Sequence, residues 1–208
     1  MIDNISDATV IIVDDDAEVR TALENLLRSM GFRVKSFASA QKFMEGPPSW
    51  GPCCLVLDVR LPGQSGLELQ AQLAAQGVKL PIVFISGYAD IQMSVKAMKA
   101  GAVEFLQKPF RDQDLLDAVQ NAIERDRQRL SEEKMFAGLK RRYETLTMRE
   151  REIFPRVTAG LTNKVIAAAL GLSEITVKIH RGNIMRKMAA RTLADLVRID
   201  ERLKRSGA

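Results

Sequence analysis

The chain has 208 residues, 46% of them apolar and 27% charged, with 13 glycines and 7 prolines, which excludes extended disorder and collagen-like repeats and leaves room for one large domain or two small ones. No apolar run approaches the ~18 residues a membrane span needs, and the acidic start at Asp3 argues against a secretory signal. The net charge of +5 conceals a division: residues 1–124 carry 16 acidic and 11 basic side chains, residues 125–208 carry 10 and 20. An acidic first part suits a bound cation and a basic second part suits a polyanion.

Taken in chain order, the first part alternates two hydrophobic periods. Val10–Val13, Cys54–Leu57 and Ile82–Ile85 are short continuous apolar runs, the pattern of strands buried on both faces of a parallel sheet. Arg33–Phe37 and Glu104–Leu106 are weaker strand candidates. Between them, Val19, Leu23, Leu26, Leu27 and Met30 keep helical spacing and stop at Gly31. Val95, Met98 and Ala102 form a second stripe, and Leu115, Leu116, Val119 and Ile123 a third. Five strands alternating with five helices predict a doubly wound α/β domain over 1–124. Adjacent Cys53 and Cys54 fit neither a zinc spacing nor a disulfide framework and read as buried thiols of a cytoplasmic protein. A single histidine, His180, argues against a histidine metal site.

Residues 125–144 are charged, proline-free and helix-prone, and read as a helical linker with a break near Gly138. Residues 145–208 show no strand pattern. Four helices are predicted, over 147–158, 163–170, 174–188 and 191–204, with Ser173 as an N-cap and Gly171 as a stop. The tight turn Gly171-Leu172-Ser173 makes the middle pair a helix-turn-helix candidate.

Ligands of open α/β sheets sit beyond the carboxyl ends of the strands. Those ends here are Asp14-Asp15-Asp16, Asp58, Ser86 and Lys108-Pro109-Phe110. Clustered carboxylates need a cation, and a hard divalent ion with oxygen ligands, Mg²⁺, is the natural one. A carboxylate is also a nucleophile toward phosphorus. Lys108 then pairs with a phosphoryl oxygen and Ser86 donates to another, while Asp16 reads as a helix cap.

These pieces carry a resemblance. Val13-Asp14-Asp15-Asp16, Leu57-Asp58-Val59-Arg60-Leu61-Pro62-Gly63, Ser86-Gly87-Tyr88-Ala89-Asp90, Lys99-Ala100-Gly101-Ala102 and Phe105-Leu106-Gln107-Lys108-Pro109-Phe110 look like the receiver domain of a two-component response regulator. The resemblance implies a flavodoxin-like fold with strand order 2-1-3-4-5. It implies Asp58 as phosphoacceptor, with Mg²⁺ on Asp15, Asp58 and the backbone carbonyl of Arg60, and Asp14 assisting through water. Ser86 and Phe105 match the switch positions. The switch hydroxyl is serine where threonine is commoner. Arg60 and Tyr88 lie two residues beyond Asp58 and Ser86, where bulk obstructs a hydrolytic water, so a phosphoryl lifetime of minutes or longer is expected.

On the helix over 174–188, Val177, Ile184 and Met188 share one sector and suit a core, while Ile175, Lys178, Ile179, Gly182 and Arg186 lie opposite. That face suits a major-groove reader, with Lys178 donating to guanine, Ile179 touching a thymine methyl and Arg186 meeting phosphate. Asn163 and Lys164 are candidate phosphate contacts, and His180 and Arg181 lean toward roles inside the domain. Leu146-Thr147-x-Arg149-Glu150, Gly160-Leu161-Thr162-Asn163-Lys164 and Ser173-x-x-Thr176-Val177-Lys178-Ile179-His180 resemble a LuxR-type output domain, which adds Thr176 to the DNA-contact candidates. The whole chain is similar to the NarL/FixJ class, nearest its FixJ branch. Pro155 departs from a regular helix at a cost of roughly 3 kcal/mol, which predicts a kink or an early end.

The resemblance implies a transcription factor, not an enzyme. A sensor histidine kinase phosphorylates Asp58, the chain dimerises through Ile91, Val95, Met98 and Lys99, and two basic domains bind promoter DNA, with RNA polymerase as a further partner. Three other readings compete with it. An aspartyl phosphatase would need a second acid two residues after Asp58, where Arg60 stands. An RNA-binding output would need exposed stacking aromatics, and only Phe154 follows Tyr143. In a constitutive DNA binder, Asp58→Asn would leave DNA affinity unchanged.

Overall fold

The computed structural model describes residues 7–46, 51–87 and 91–205. The chain divides into two compact units, Met1–Leu130 and Ser131–Ala208.

The first unit contains five strands: β1 (Thr9–Val13), β2 (Arg33–Phe37), β3 (Cys53–Asp58), β4 (Ile82–Ser86) and β5 (Glu104–Gln107). All pair in parallel in the order β2-β1-β3-β4-β5. Every residue of β1, β3 and β4 is buried, which is why those three strands read as unbroken apolar runs. β5 lies at an edge and is half-buried, and its sequence signal is correspondingly weak.

Alternate side chains build two cores. Val10, Ile12, Cys54, Val56, Val83 and Ile85 face α1 (Ala17–Ser29) and the first turns of α5 (Asp112–Glu144), meeting Leu23, Leu27, Leu115, Val119 and Ile123. Ile11, Val13, Leu55, Leu57 and Phe84 face the other side. There they meet Phe43 of α2 (Ala40–Met44), Leu69 and Leu73 of α3 (Gly66–Ala75) and Ala97 of α4 (Ile91–Lys99). The doubly wound architecture predicted from the apolar periods is the one observed. Cys53 and Cys54 are buried, unpaired thiols on opposite faces of β3.

In place of a break near Gly138, α5 continues unbroken to Glu144. Asp126 on this helix is fully buried, accepts a hydrogen bond from the Cys53 backbone N–H at 2.9 Å and pairs with Arg129 at 2.7 Å. The last turns of α5 belong to the second unit and pack Phe136, Leu139 and Tyr143 against its core.

That unit is all-helical: α6 (Met148–Thr158), α7 (Asn163–Leu170), α8 (Glu174–Met188) and α9 (Leu193–Arg205) follow α5. The core is Leu146, Ile153, Phe154, Val157, Ile166, Val177, Ile184, Met188, Leu196 and Leu203. Gly171 caps α7 in the left-handed conformation (φ 65°), where a side chain would strain the turn into α8. One boundary differs from expectation. α9 starts at Leu193 because Thr192 and Asp195 bond each other's backbone N–H groups, ending the loop there. Of the two outcomes expected at Pro155 the early end does not occur: α6 runs through it to Thr158, and the Ala159 N–H at the helix end bonds the Pro155 carbonyl at 3.0 Å. The proline removes one backbone donor, and burial of Ile153, Phe154 and Val157 around it outweighs that loss.

Among the described residues, no helix is long and apolar enough to cross a membrane.

Candidate phosphoacceptor site and nucleic-acid surface

The parallel sheet delivers its functional side chains to one edge. β1 ends at Val13, so Asp14 and Asp15 emerge beyond it, and Asp58 is the last residue of β3. Each offers a carboxylate oxygen, and these lie within 4.8 Å of one another. Asp14 is fully buried, Asp58 nearly so, and Asp15 is exposed. Three carboxylates with one facing solvent match a hard divalent cation that keeps part of its water.

Lys108 follows β5 and reaches into the cluster. Its Nζ donates to Asp14 Oδ2 at 2.7 Å and to Asp58 Oδ2 at 2.9 Å. Burial pulls the ammonium pKa down, but hydrogen bonds to Asp14 and then Asp58 outweigh it, so the pKa lies above the ordinary lysine value. Asp14 moves up from the usual carboxylate range because burial exceeds the opposing hydrogen bonds from Lys108 and the Asp16 backbone. The other Asp58 oxygen, Oδ1, accepts the Arg60 backbone N–H at 3.0 Å. The site therefore holds the Asp58 carboxylate clamped by one cation and one backbone donor. Asp16 is the N-cap of α1, accepting from Glu18 and Val19, and those bonds hold its carboxyl below the usual range.

Ser86 is fully buried at the end of β4, and its carbonyl accepts from the Lys108 backbone at 2.8 Å. Phe105 lies beside Phe84 with ring centroids 6.2 Å apart. Arg60 is exposed. Tyr88, with Ala89 and Asp90, lies outside the described residues. Ile91, Val95, Met98 and Lys99 are exposed on one side of α4, opposite buried Ala97.

One residue of this site escaped sequence reasoning. A Cβ on Gly66, the first residue of α3, would stand 2.2 Å from the Asp58 carbonyl oxygen. Only glycine lets α3 start against the backbone of Asp58, where the Gly66 N–H also bonds the Val59 carbonyl at 2.9 Å.

In the second unit, α8 buries Val177, Ile184 and Met188 and exposes Ile175, Lys178, Ile179, Gly182 and Arg186, as the helical spacing predicts. Lys164 on α7 is exposed as well. Asn163 and Thr176 are half-buried and engaged internally: Asn163 accepts from Arg181 Nη1 at 3.0 Å, and the Thr176 hydroxyl meets that of Ser173 at 2.8 Å. The Nδ1 of His180 is buried and has no hydrogen-bond partner among the described residues. Buried Glu150 carries a charge network and forms a capping box with Thr147 at the start of α6. Its carboxylate accepts from Lys187 Nζ at 2.6 Å and from the Thr147 N–H at 2.8 Å, and Lys187 also reaches the Thr145 carbonyl at 3.0 Å. Burial pushes the Glu150 pKa up, but the hydrogen bonds from Lys187 and Thr147 outweigh it and hold the carboxyl below its ordinary value.

An aspartate-centred receiver sheet joined to a helix-turn-helix unit defines a phosphorylation-type signalling regulator with a DNA-binding output. Comparison with known proteins agrees. Residues 10–120 match the family model "Response regulator receiver domain" and residues 144–199 match "Bacterial regulatory proteins, luxR family". The chain is 53% identical over 196 residues to nodulation protein W of Bradyrhizobium diazoefficiens, covering 94% of this chain and 86% of that protein. It is 39% identical over 190 residues to the transcriptional regulatory protein FixJ of the same organism, covering 91% and 93%. Among solved structures, the response regulator StyR matches at 48% identity with a TM-score of 0.86, covering 94% of this chain and 98% of that one. The chain belongs to the two-component response regulators with a receiver domain and a LuxR-type DNA-binding domain, and it is a transcriptional regulator of that family.

Proposed function

We propose that phosphorylation of Asp58 by a sensor histidine kinase drives dimerisation and sequence-specific binding to promoter DNA. The observation that carries this reading is the Asp58 carboxylate held at 2.9 Å from Lys108 beside Asp14 and Asp15. One Asp58 oxygen attacks the phosphorus of a kinase phosphohistidine, forming an O–P bond as the N–P bond breaks. Asp15, Asp58 and the Arg60 backbone carbonyl would hold Mg²⁺, with Asp14 contributing through water. Bound there, the ion supplies positive charge toward the phosphoryl oxygens.

Lys108, now shared between Asp14 and Asp58, transfers one of its hydrogen bonds to a phosphoryl oxygen. Ser86 donates its hydroxyl to another. Phe105 changes its packing against Phe84, which alters the exposed face of α4 and β5. Ile91, Val95, Met98 and Lys99 then meet a second copy of the chain. Residues 1–124 act as the receiver and 145–208 as the output, joined by the helix over 125–144. Self-dephosphorylation is slow, with a lifetime of minutes or longer, because Arg60 crowds the approach of water. The protein works in the cytoplasm, where promoter DNA and RNA polymerase are within reach.

α8 enters the major groove, with Lys178 and Ile179 on base edges, Gly182 allowing close approach, and Arg186 and Lys164 on phosphates. Thr176 and Asn163 orient this surface through their bonds to Ser173 and Arg181. A mobility-shift titration of promoter DNA at fixed salt, with and without acetyl phosphate and Mg²⁺, tests the reading. The phosphodonor should tighten binding at least tenfold for the native chain and leave Asp58→Asn unchanged. A gain that survives in Asp58→Asn, or no gain at all, overturns it.

A further inference from the structure

The groove-facing side of α8 carries more apolar surface than a helix needs to approach DNA. Ile179 is 59% exposed, and Ile175, one turn earlier, is 73% exposed. The core is built without them, from Val177, Ile184 and Met188 on the opposite side. Ile175 is the second residue of α8, and the N-terminal residues of a recognition helix are the ones that contact base edges. Four residues apart, the two side chains are displaced by about 6 Å along the helix and about 40° around it, so they stand on one stripe. That rise is close to two base steps of ~3.4 Å each.

Exposed cations adjoin the stripe: Lys178 between the two isoleucines, Arg186 further along α8 and Lys164 on α7. Glu174, also exposed, stands at the helix start. A branched apolar pair among cations fits one occupant in particular, the major groove of a duplex, where thymine offers a methyl group and the neighbouring phosphates need neutralising. A second copy apposed through this same face would set Lys178, Arg186 and Lys164 against their own counterparts, which repel.

We infer that Ile175 is a specificity-determining residue that reads a second thymine methyl, about two base steps from the one under Ile179. This rests on the proposed role of α8 as the groove-entering helix. A stripe of two methyl readers makes the preferred site rich in thymine on one strand within that short span, and it does so without any hydrogen bond from either side chain.

The test uses the full-length chain with acetyl phosphate and Mg²⁺. A duplex is first selected from a random-sequence pool by repeated rounds of binding. Each thymine of the winning duplex is then replaced singly by deoxyuridine, which removes only the methyl group. Two positions about two base steps apart should each weaken binding about fourfold, the factor expected for one buried methyl. In Ile175→Ala the sensitivity at one of them disappears and the other persists; in Ile179→Ala the pattern reverses. Ile175 is exposed and lies in a helix, so alanine leaves the fold intact. A selected duplex that lacks thymine, one indifferent to deoxyuridine, or an Ile175→Ala profile identical to the native one overturns the inference and leaves the proposed function standing. Recovery of no preferred duplex overturns both.

Discussion

The acidic edge of the first unit and the exposed face of α8 are built on opposite physical terms. At the acidic edge Asp14, Asp58 and Lys108 are wholly or largely buried, close together and mutually dependent: Lys108 lies within hydrogen-bond distance of both carboxylates, and burial together with pairing moves the pKa values of Asp14 and Lys108. On α8 the functional groups are exposed, and the helix is held in place by other residues, Val177, Ile184 and Met188 beneath it and Lys187 at its end. Removing one member of a buried charged set leaves the others uncompensated. Removing one exposed contact costs only that contact. The acidic edge is therefore the more sensitive of the two to substitution, and the exposed α8 face the more tolerant.

Breaking the acidic edge should have the largest effect. Lys108→Met leaves Asp14 and Asp58 facing each other without their ammonium, and urea unfolding in EDTA should show a loss of about 3–5 kcal/mol. Millimolar Mg²⁺ should restore much of it by supplying the missing charge. Equal losses with and without Mg²⁺ would mean that the carboxylates do not form a cation site.

Gly66→Ala comes next. Its Cβ would stand 2.2 Å from the Asp58 carbonyl, so the start of α3 must shift, at about 1–3 kcal/mol in the same unfolding assay. The rate of phosphorylation by acetyl phosphate should fall with it. By contrast Gly182→Ala, where nothing stands within 4 Å, should keep or raise stability.

Glu150 gives a pH signature confined to the second unit. Its carboxyl titrates below the ordinary value of 4.5 in the folded chain. The contribution of this group is therefore fully present above about pH 4.5 and disappears as pH falls through the lower folded-state pKa. Thermal unfolding of the second unit should lose stability below pH 4.5 in the native chain and show a flatter dependence in Glu150→Gln, which should also be about 1–2 kcal/mol less stable at pH 7. A native and a variant profile of identical slope would remove Glu150 from that role.

The smallest effects belong to the α8 surface. Lys178→Ala should weaken a selected duplex about tenfold and relax the preference at one base pair. Lys164→Ala should weaken all duplexes by a similar, smaller factor and lower the salt slope by about one. If the two variants behave alike, Lys178 reads phosphate and not a base.

Much of this was legible in one dimension because it depends on local periods. Unbroken apolar runs announced β1, β3 and β4, and the polar residues that end those runs announced the site, since a parallel sheet sends every strand's carboxyl end to one edge. The turn Gly171-Leu172-Ser173 announced the helix pair, and the spacing on α8 separated its buried from its exposed face. The tertiary structure decided what depends on remote partners. Asp126 reads as one more charge on a charged helix until Cys53, 73 residues earlier, is placed against it. Lys187 reads as a surface lysine until Glu150 meets it across 37 positions. Asn163 reads as a free polar contact until Arg181 occupies it. Pro155 reads as a kink or an early end until the core around Phe154 shows why the helix continues. Gly66 reads as ordinary punctuation until the carbonyl of Asp58 lies against it. Strand and helix periods are set by neighbours along the chain, whereas the burial of a charge or the need for a missing side chain is set by whatever folding brings near.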